Sequence, residues 1–415
     1  MKQVDIAVIG GGAAGLAAAL AAKQAGCDNI LIIEREGELG GILNQCIHNG
    51  FGLHVFKEEL TGPEYAERYL RQIKEYNIPF QTGTFVLDIK QGVVTTMSER
   101  SLEKLDCKAI ILATGCRERP RGALMVPGTR AAGIYTAGTA QKLINRMGLL
   151  PGKKAVILGS GDIGLIMARR MTLEGAIVPA VLEIMPYSSG LARNVTQCLE
   201  DFGIPLMLSH TVTAIQGTRR VTGVTIAQVD EFRKPIDGTQ RQIECDTLLL
   251  SVGLIPENEL ARAAGVGMSA ITQGAVVDQN LATDISGFFQ CGNALHVHDL
   301  VDNVSIESER AGRQAVEYLS GKRTDSHTTV ISDGSGVSGC VPGLLRGTPS
   351  EPVNIMFRPR EFYRGARVTV YCDGVKVASI KKPVLAPGEM AEIKLKPELI
   401  MPGTKQIIVN VEAAQ

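Results

Sequence analysis

Two stretches of the chain repeat one pattern, and that repetition restricts the possible folds more than any other feature. The first reads VDIAVIGGGAAGLAAALAAKQAGCDNILIIE and the second KKAVILGSGDIGLIMARRMTLEGAIVPAVLE. Each predicts a buried apolar strand, a glycine turn, a helix and a second buried strand. Continuous apolar strands on either side of a helix imply a parallel sheet covered on both faces. Each carries glycines in GxGxxG positions: Gly10, Gly12 and Gly15, then Gly159, Gly161 and Gly164. An acid closes each second strand 24 positions after the first glycine, Glu34 in one copy and Glu183 in the other. The copies stand 149 positions apart, too far for a solenoid repeat, so they predict two separate nucleotide-type domains.

The spacing has a physical reading. The first glycine permits a tight turn, the second lets the backbone approach a pyrophosphate, and the third lets helix pack on strand. The helix then starts with Ala13 and Ala14 in the first copy and with Asp162 and Ile163 in the second. Its free N–H groups and positive dipole end suit phosphate. Glu34 is placed to accept from a ribose. Glu183 would bond a 2′-hydroxyl and repel a 2′-phosphate, and the IMPYSSG run after it holds no Arg or Lys. NAD(H) is therefore favoured over NADP(H). The bland alternatives are a glycine-rich turn in the first copy and a degenerate second domain that binds nothing.

The 415 residues leave room for two or three domains, and a formal net charge of zero gives no reason to expect nucleic acid or an anionic membrane surface as partner. The apolar run from Ile6 to Ala22 is broken by GGG, so it reads as strand, turn and helix, not as a transmembrane segment. With no cleavage-site pattern at the N-terminus, a cytoplasmic location is expected. Nine cysteines occur without any CxxC, which argues against a disulfide framework, a zinc ribbon and a thioredoxin-like pair.

Two further runs match each other. AIILATGCRERPR (109–121) and TLLLSVGLIPEN (247–258) are each a strand, a small-residue turn and a proline-containing loop. The alternating stretches TGTFVLDI and HTVTAIQG predict a small antiparallel meander in each domain. TDSHTTVISDGSGVSGC reads as a linker or irregular crossover, and the short alternating runs with DG and PG turns beyond it as an all-β domain. The expected layout is α/β: two Rossmann-like domains plus a small β-rich domain. Residues 1–120 and 250–325 would form the first Rossmann-like domain, 121–249 the second, and 326–415 the linker and β-rich domain.

The order GGGAAG…E, ATG, GSGDIG…E, SVG and FFQCGN resembles the pyridine nucleotide–disulfide oxidoreductase superfamily over roughly residues 1–320. That resemblance implies a glutathione/thioredoxin reductase-like fold that binds FAD in the first domain and NAD(P) in the second. It places Ala113, Thr114 and Gly115 beside the FAD, with Arg35, Gly41 and Val86 as further candidate contacts and Gly253 as their counterpart in the second domain. It also implies that the residue after Gly292 bonds the ribityl chain; the family has Asp there and this chain has Asn293, whose amide can still bond a hydroxyl. The family's cysteine pair is missing, since only Cys46 follows the Gly40–Gly41 pair. GGILNQCIHNGFG and CGNALHVHDLVDNVS are similar to the NAD/FAD subunits that accompany bacterial glycerol-3-phosphate dehydrogenase-type enzymes, opine oxidases, hydrogen cyanide synthase and dye-linked proline dehydrogenases. The implied partner is a second flavoprotein dehydrogenase subunit or a small cysteine-rich electron-transfer protein.

Several residues keep more than one reading. Cys46 is a lone redox thiol, a charge-transfer neighbour of the flavin, or a buried structural cysteine, and His48 could lower its pKa. His296 and His298 have HxH spacing, but no third metal ligand is evident, so no metal is expected. His298 and Asp299 are the candidate side chains near the flavin ring; otherwise Asp299 is a helix N-cap beside solvent-facing histidines. Three functions compete: an electron-transfer subunit that exchanges hydride between NAD(H) and FAD, a free-standing NADH oxidase or peroxidase that uses Cys46, and a nucleotide-binding regulator without turnover.

Overall fold

The computed structural model describes residues 1–321 and 327–413. The chain divides into two compact units, one of Met1–Cys116 with Pro256–Gln415 and one of Arg117–Ile255.

The first unit is built on one sheet. Strand Lys2–Ile9 is central, flanked in parallel by Ile30–Ile33 and by the long strand Leu102–Leu112. The second half of that long strand also pairs in parallel with Phe288–Gln290, which brings a late piece of chain into the first domain. Its first half pairs antiparallel with Val93–Met97, which pairs in turn with Phe85–Lys90. This is the meander that the alternation at 82–89 predicts.

Helix Ala13–Gln24 is buried at every position from Ala14 to Ala22. It has no polar face because it lies between layers of protein. Helix Val301–Leu319 packs directly on it, and a Cβ on Gly312 would stand 2.1 Å from the Ala18 carbonyl oxygen. Only a helix this rich in alanine admits so close an approach. Helix Gly62–Glu75 packs alongside, opened by a capping box in which Thr61 and Glu64 satisfy each other's backbone N–H.

The second unit has a five-stranded parallel sheet in the order 134–136, 247–250, 155–158, 181–183, 206–208. Helices Ala137–Met147 and Asp162–Leu173 cover it. An antiparallel sheet of His210–Gln216, Gly223–Gln228 and Arg241–Glu244 is the second meander.

The C-terminal residues form two sheets around their own apolar core. One is ordered 344–346, 328–333, 406–413, 363–372, 375–385, and the other 337–341, 353–359, 391–395. This corrects the linker expected over TDSHTTVISDGSGVSGC. Of that run, 324–326 lie outside the described residues, but Thr328–Asp333 and Val337–Val341 are strands. The Ser, Thr and Gly content hid an alternation: Thr329 and Ile331 are buried while Val330 between them is 46% exposed. Thr is a good strand former, and the ladder to Gln406–Ala413 holds the segment. Gln279 anchors these sheets to the rest of the unit by bonding both the N–H and the carbonyl of Arg346. Among the described residues no helix is long and apolar enough to cross a membrane.

Candidate functional site

The first fingerprint forms a turn that only glycine can make. Gly10 has φ +107°, and a Cβ there would lie 2.3 Å from the Ala113 carbonyl oxygen, so the ATG turn sits directly against it. A Cβ on Gly15 would lie 1.8 Å from the Gly10 carbonyl oxygen, which fixes helix against strand. The helix then begins at Gly12 with no side-chain cap and no acid in its first turn. Its first intrahelical bond is Leu16 N–H to Gly12 O, so the preceding N–H groups have no acceptor within the helix. A Cβ on Gly12 would meet nothing closer than the Gly41 Cα at 3.9 Å. Uncapped donors beside a cradle that a side chain would fill fit a pyrophosphate.

Glu34 is buried at the end of its strand. One oxygen accepts the Gly11 N–H at 2.6 Å and the other the Glu36 N–H at 2.8 Å. An ionised carboxylate has about four acceptor sites, so each oxygen keeps capacity for a ribose hydroxyl. Thr114 donates its hydroxyl to the Glu257 carbonyl at 2.6 Å, Arg35 pairs with the Glu257 carboxylate at 3.4 Å, and Val86 is half-buried in its strand.

The second fingerprint mirrors the first. A Cβ on Gly159 would lie 2.0 Å from the Ser251 carbonyl oxygen, as Gly10 faces Ala113. Gly164 donates its N–H to Ser251 Oγ at 3.1 Å. Glu183 accepts the Ser160 N–H at 3.0 Å, as Glu34 accepts Gly11. It also accepts Ser160 Oγ at 2.5 Å, Ser189 Oγ at 3.2 Å and the Met185 N–H at 3.0 Å. Sequence reasoning missed both serines; the signal was the Ser in GSG and the SSG after the acid. Asp162 accepts the Leu191 N–H at 2.9 Å and Asn194 Nδ2 at 2.6 Å, which ties the 191–194 segment to the helix start. Ile163 is half-buried and Gly253 has φ +98° in the SVG turn.

Around Gly292 the structure assembles a buried network. Gly292 N–H donates to Glu307 Oε1 at 2.8 Å. His296 Nε2 lies 2.6 Å from Glu307 Oε2 and His298 Nε2 lies 3.3 Å from Glu307 Oε1. Both histidines are buried, not solvent-facing: this carboxylate meets the Nε2 atom of each, while both Nδ1 atoms are buried with no hydrogen-bond partner among the described residues. Glu307 is the third group that the HxH spacing did not reveal, since it lies on the following helix. The three have candidate ligand atoms within 4.8 Å of one another. The 2.6 Å separation of His296 Nε2 and Glu307 Oε2 is hydrogen-bond distance. Burial holds His296 below its ordinary value, outweighing the attraction of Glu307. Burial alone would push the Glu307 carboxyl up, but the two imidazoles beside it hold it well below the usual carboxylate range.

A depressed carboxylate contributes stability that is present above its unfolded value and lost as pH falls. Thermal melts should therefore show a falling Tm from about pH 5 downward, with the slope reduced in Glu307→Gln. Equal acid slopes in the two proteins would contradict this assignment.

Asn293 is oriented by its neighbours: Oδ1 accepts the His298 N–H at 3.0 Å, and Nδ2 donates to Cys116 Sγ at 3.6 Å. Asp299 is not the helix N-cap, a position that falls to Leu300. Its oxygens bond Arg358 and the Met390 N–H, each at 2.6 Å. Asp302, buried in the first turn of the helix, accepts the N–H groups of Gly52, His54 and Val55.

Cys46 ends the turn Gly41–Gln45, its thiol 3.3 Å from the Ile42 carbonyl. Burial pushes that thiol up to about 12, opposite to the lowering that His48 could supply. His48 packs against the Phe51 ring at 5.0 Å.

Comparisons with known proteins agree with this geometry. The chain is 25% identical over 280 residues to an opine oxidase subunit of Agrobacterium tumefaciens (strain Ach5), covering 63% of this chain and 54% of that one. It is 26% identical over 351 residues to the glutamate synthase [NADPH] small chain of Mycobacterium tuberculosis, covering 76% and 67%. The chain thus spans between half and two thirds of the length of these relatives. Thioredoxin reductase of T. acidophilum superposes with a TM-score of 0.62 at 23% identity, over 78% of this chain and all of that one. L-proline dehydrogenase of P. horikoshii gives 0.55 at 20% identity, over 77% and 56%. Both structures show the two-domain dinucleotide-binding fold. The family model for pyridine nucleotide-disulphide oxidoreductase matches residues 4–315. With two mirrored fingerprints in a thioredoxin reductase-like fold, the chain belongs to the pyridine nucleotide-disulphide oxidoreductase family, whose members are oxidoreductases that use FAD and a pyridine nucleotide.

Proposed function

We propose that residues 1–116 with 256–321 hold FAD, that residues 117–255 hold NAD(H), and that electrons pass between them and a separate protein. The observation that carries this reading is the matched pair of carboxylates, Glu34 on the Gly11 N–H and Glu183 on the Ser160 N–H, each beside a helix whose N-cap glycine supplies no side-chain cap. When bound, the two cofactors supply the hydride chemistry. The chain's own work is to hold them. The first-turn N–H groups take the phosphates, the two acids take ribose hydroxyls, and Asn293, fixed by His298 and Cys116, offers its amide to the ribityl chain. Glu183 favours a 2′-hydroxyl over a 2′-phosphate, which supports NAD(H).

None of the nine cysteines is joined in a disulfide, and no two stand in a CxxC. Only Cys46 follows the Gly40–Gly41 pair, where the family carries two cysteines, so we read the electron acceptor as external. Several relatives are named as subunits or chains of larger enzymes, opine oxidase and glutamate synthase among them. We read the partner as a second flavoprotein dehydrogenase subunit or a small cysteine-rich electron-transfer protein, in a glycerol-3-phosphate dehydrogenase-like complex. Affinity purification from native extract tests this. A flavoprotein or small cysteine-rich chain in stoichiometric amount is the expected result; a chain that purifies alone and turns over NADH rapidly with oxygen would overturn it.

A peroxidase cycle through Cys46 is the competing reading. A thiol pushed up to about 12 supplies little thiolate at neutral pH. NADH-dependent peroxide consumption should therefore be slow and should not fall in Cys46→Ser. A drop of about tenfold or more in that variant would restore the peroxidase reading.

A further inference from the structure

The C-terminal sheets reach into the loop that follows Gly292 and Asn293. Arg358 lies on strand Val353–Pro359. Its Nη2 donates to Asp299 Oδ1 at 2.6 Å and to the Val297 carbonyl at 3.0 Å. Its Nη1 donates to the Gly388 carbonyl at 2.8 Å, so the guanidinium is held from its own side as well. The Met390 N–H takes the remaining Asp299 oxygen at 2.6 Å. Both oxygens of Asp299 and the carbonyl two residues before it are thus gripped from the C-terminal region. The gripped residues flank His298. The N–H of His298 sets Asn293, and its ring meets Glu307.

We propose that the C-terminal β domain is a clamp on residues 292–299, with Arg358 as a positioning residue that sets Asn293 and the His296–His298–Glu307 network for the flavin. This rests on FAD being bound in the first unit. Arg358 acts by geometry and by charge. The charged and titratable groups around His296 are Glu307 from helix Val301–Leu319, His298 from the same segment and Arg358 from its strand. The buried Cys291 thiol neighbours Ser308 and feels the charge of Glu307. The guanidinium opposes a second positive charge on His296, so its removal eases protonation there.

The test uses the full chain with Arg358→Gln and Arg358→Lys. It reads bound FAD, the rate of flavin reduction by NADH in anaerobic stopped flow, the pH profile of that rate, and hydrogen exchange of amides 293–299. Arg358→Gln should retain FAD, reduce about tenfold more slowly and move the acid limb of the profile up. Arg358→Lys should restore the acid limb, because it restores the charge, and only part of the rate, because the shorter ammonium lacks the second nitrogen that holds the guanidinium to the Gly388 carbonyl. Wild-type rate and pH profile in Arg358→Gln, with only a lower Tm, would overturn the proposal. Should that variant fail to fold, Asp299→Asn takes its place, with the same slowing expected and a wild-type rate overturning it. A colourless wild-type protein would sink the FAD reading instead. Hydrogen exchange would then still read the clamp, faster exchange in Arg358→Gln supporting it and unchanged exchange overturning it.

Discussion

Gly15→Ala is expected to yield protein without FAD and with a large loss of stability. The new Cβ would stand 1.8 Å from the Gly10 carbonyl oxygen and 3.3 Å from Val8 Cγ1. Backbone cannot yield as a flexible side chain can, so helix Ala13–Gln24 must lift from its strand. That costs about 3 kcal/mol, the upper end for overpacking, and displaces the N–H groups that face the phosphate. The measurement is the ratio of flavin to protein absorbance, with Tm alongside. Gly164→Ala is the informative contrast. Its Cβ would meet Ser251 Cβ at 2.6 Å, in the unit assigned to NAD(H). That variant should stay yellow and lose reduction by NADH. If both variants lose flavin equally, the assignment of one cofactor to each unit is wrong.

The second large effect is at Glu183. Glu183→Ala removes a ribose acceptor and leaves the buried N–H of Ser160 and the N–H of Met185 without their partner. Losing a charged hydrogen bond and stranding a donor costs about 3 kcal/mol, so kcat/KM for NADH should fall about 100-fold. NADPH use should fall far less, because the same carboxylate repels a 2′-phosphate. Ser160→Gly, which copies the Gly11 of the other fingerprint, removes only one of the bonds to Glu183 and should weaken NADH use by less than about tenfold. Equal losses for NADH and NADPH in Glu183→Ala would show that the acid supports the turn without choosing the nucleotide.

The sequence made most of the two Rossmann-like units legible, for a physical reason. Gly10, Gly15, Gly159 and Gly164 stand where any side chain would strike backbone or Ser251, so the pattern cannot drift without losing the fold. The residues leading into and out of these turns, 6–9, 30–33, 155–158 and 181–182, are buried and read as apolar runs. The Ser/Thr-rich strand at 328–333 was not legible, because its burial depends on a ladder to residues 406–413, far along the chain. The network around Glu307 was hidden for the same reason. His296 and His298 could be picked out by spacing, but their partner is set by where helix Val301–Leu319 lies, and helix position is a property of packing. Asp299 has the composition of an N-cap, yet its carboxylate is drawn off by Arg358 and Met390, which no local rule foresees.

The pairing of one FAD with one NAD(H) is tested most directly by an anaerobic titration of the purified chain with NADH, followed at the flavin absorbance. The expected result is yellow protein with one FAD per chain, bleached fully by one equivalent of NADH and only poorly by NADPH. Protein that binds no flavin, or that holds flavin untouched by either nucleotide, would contradict it.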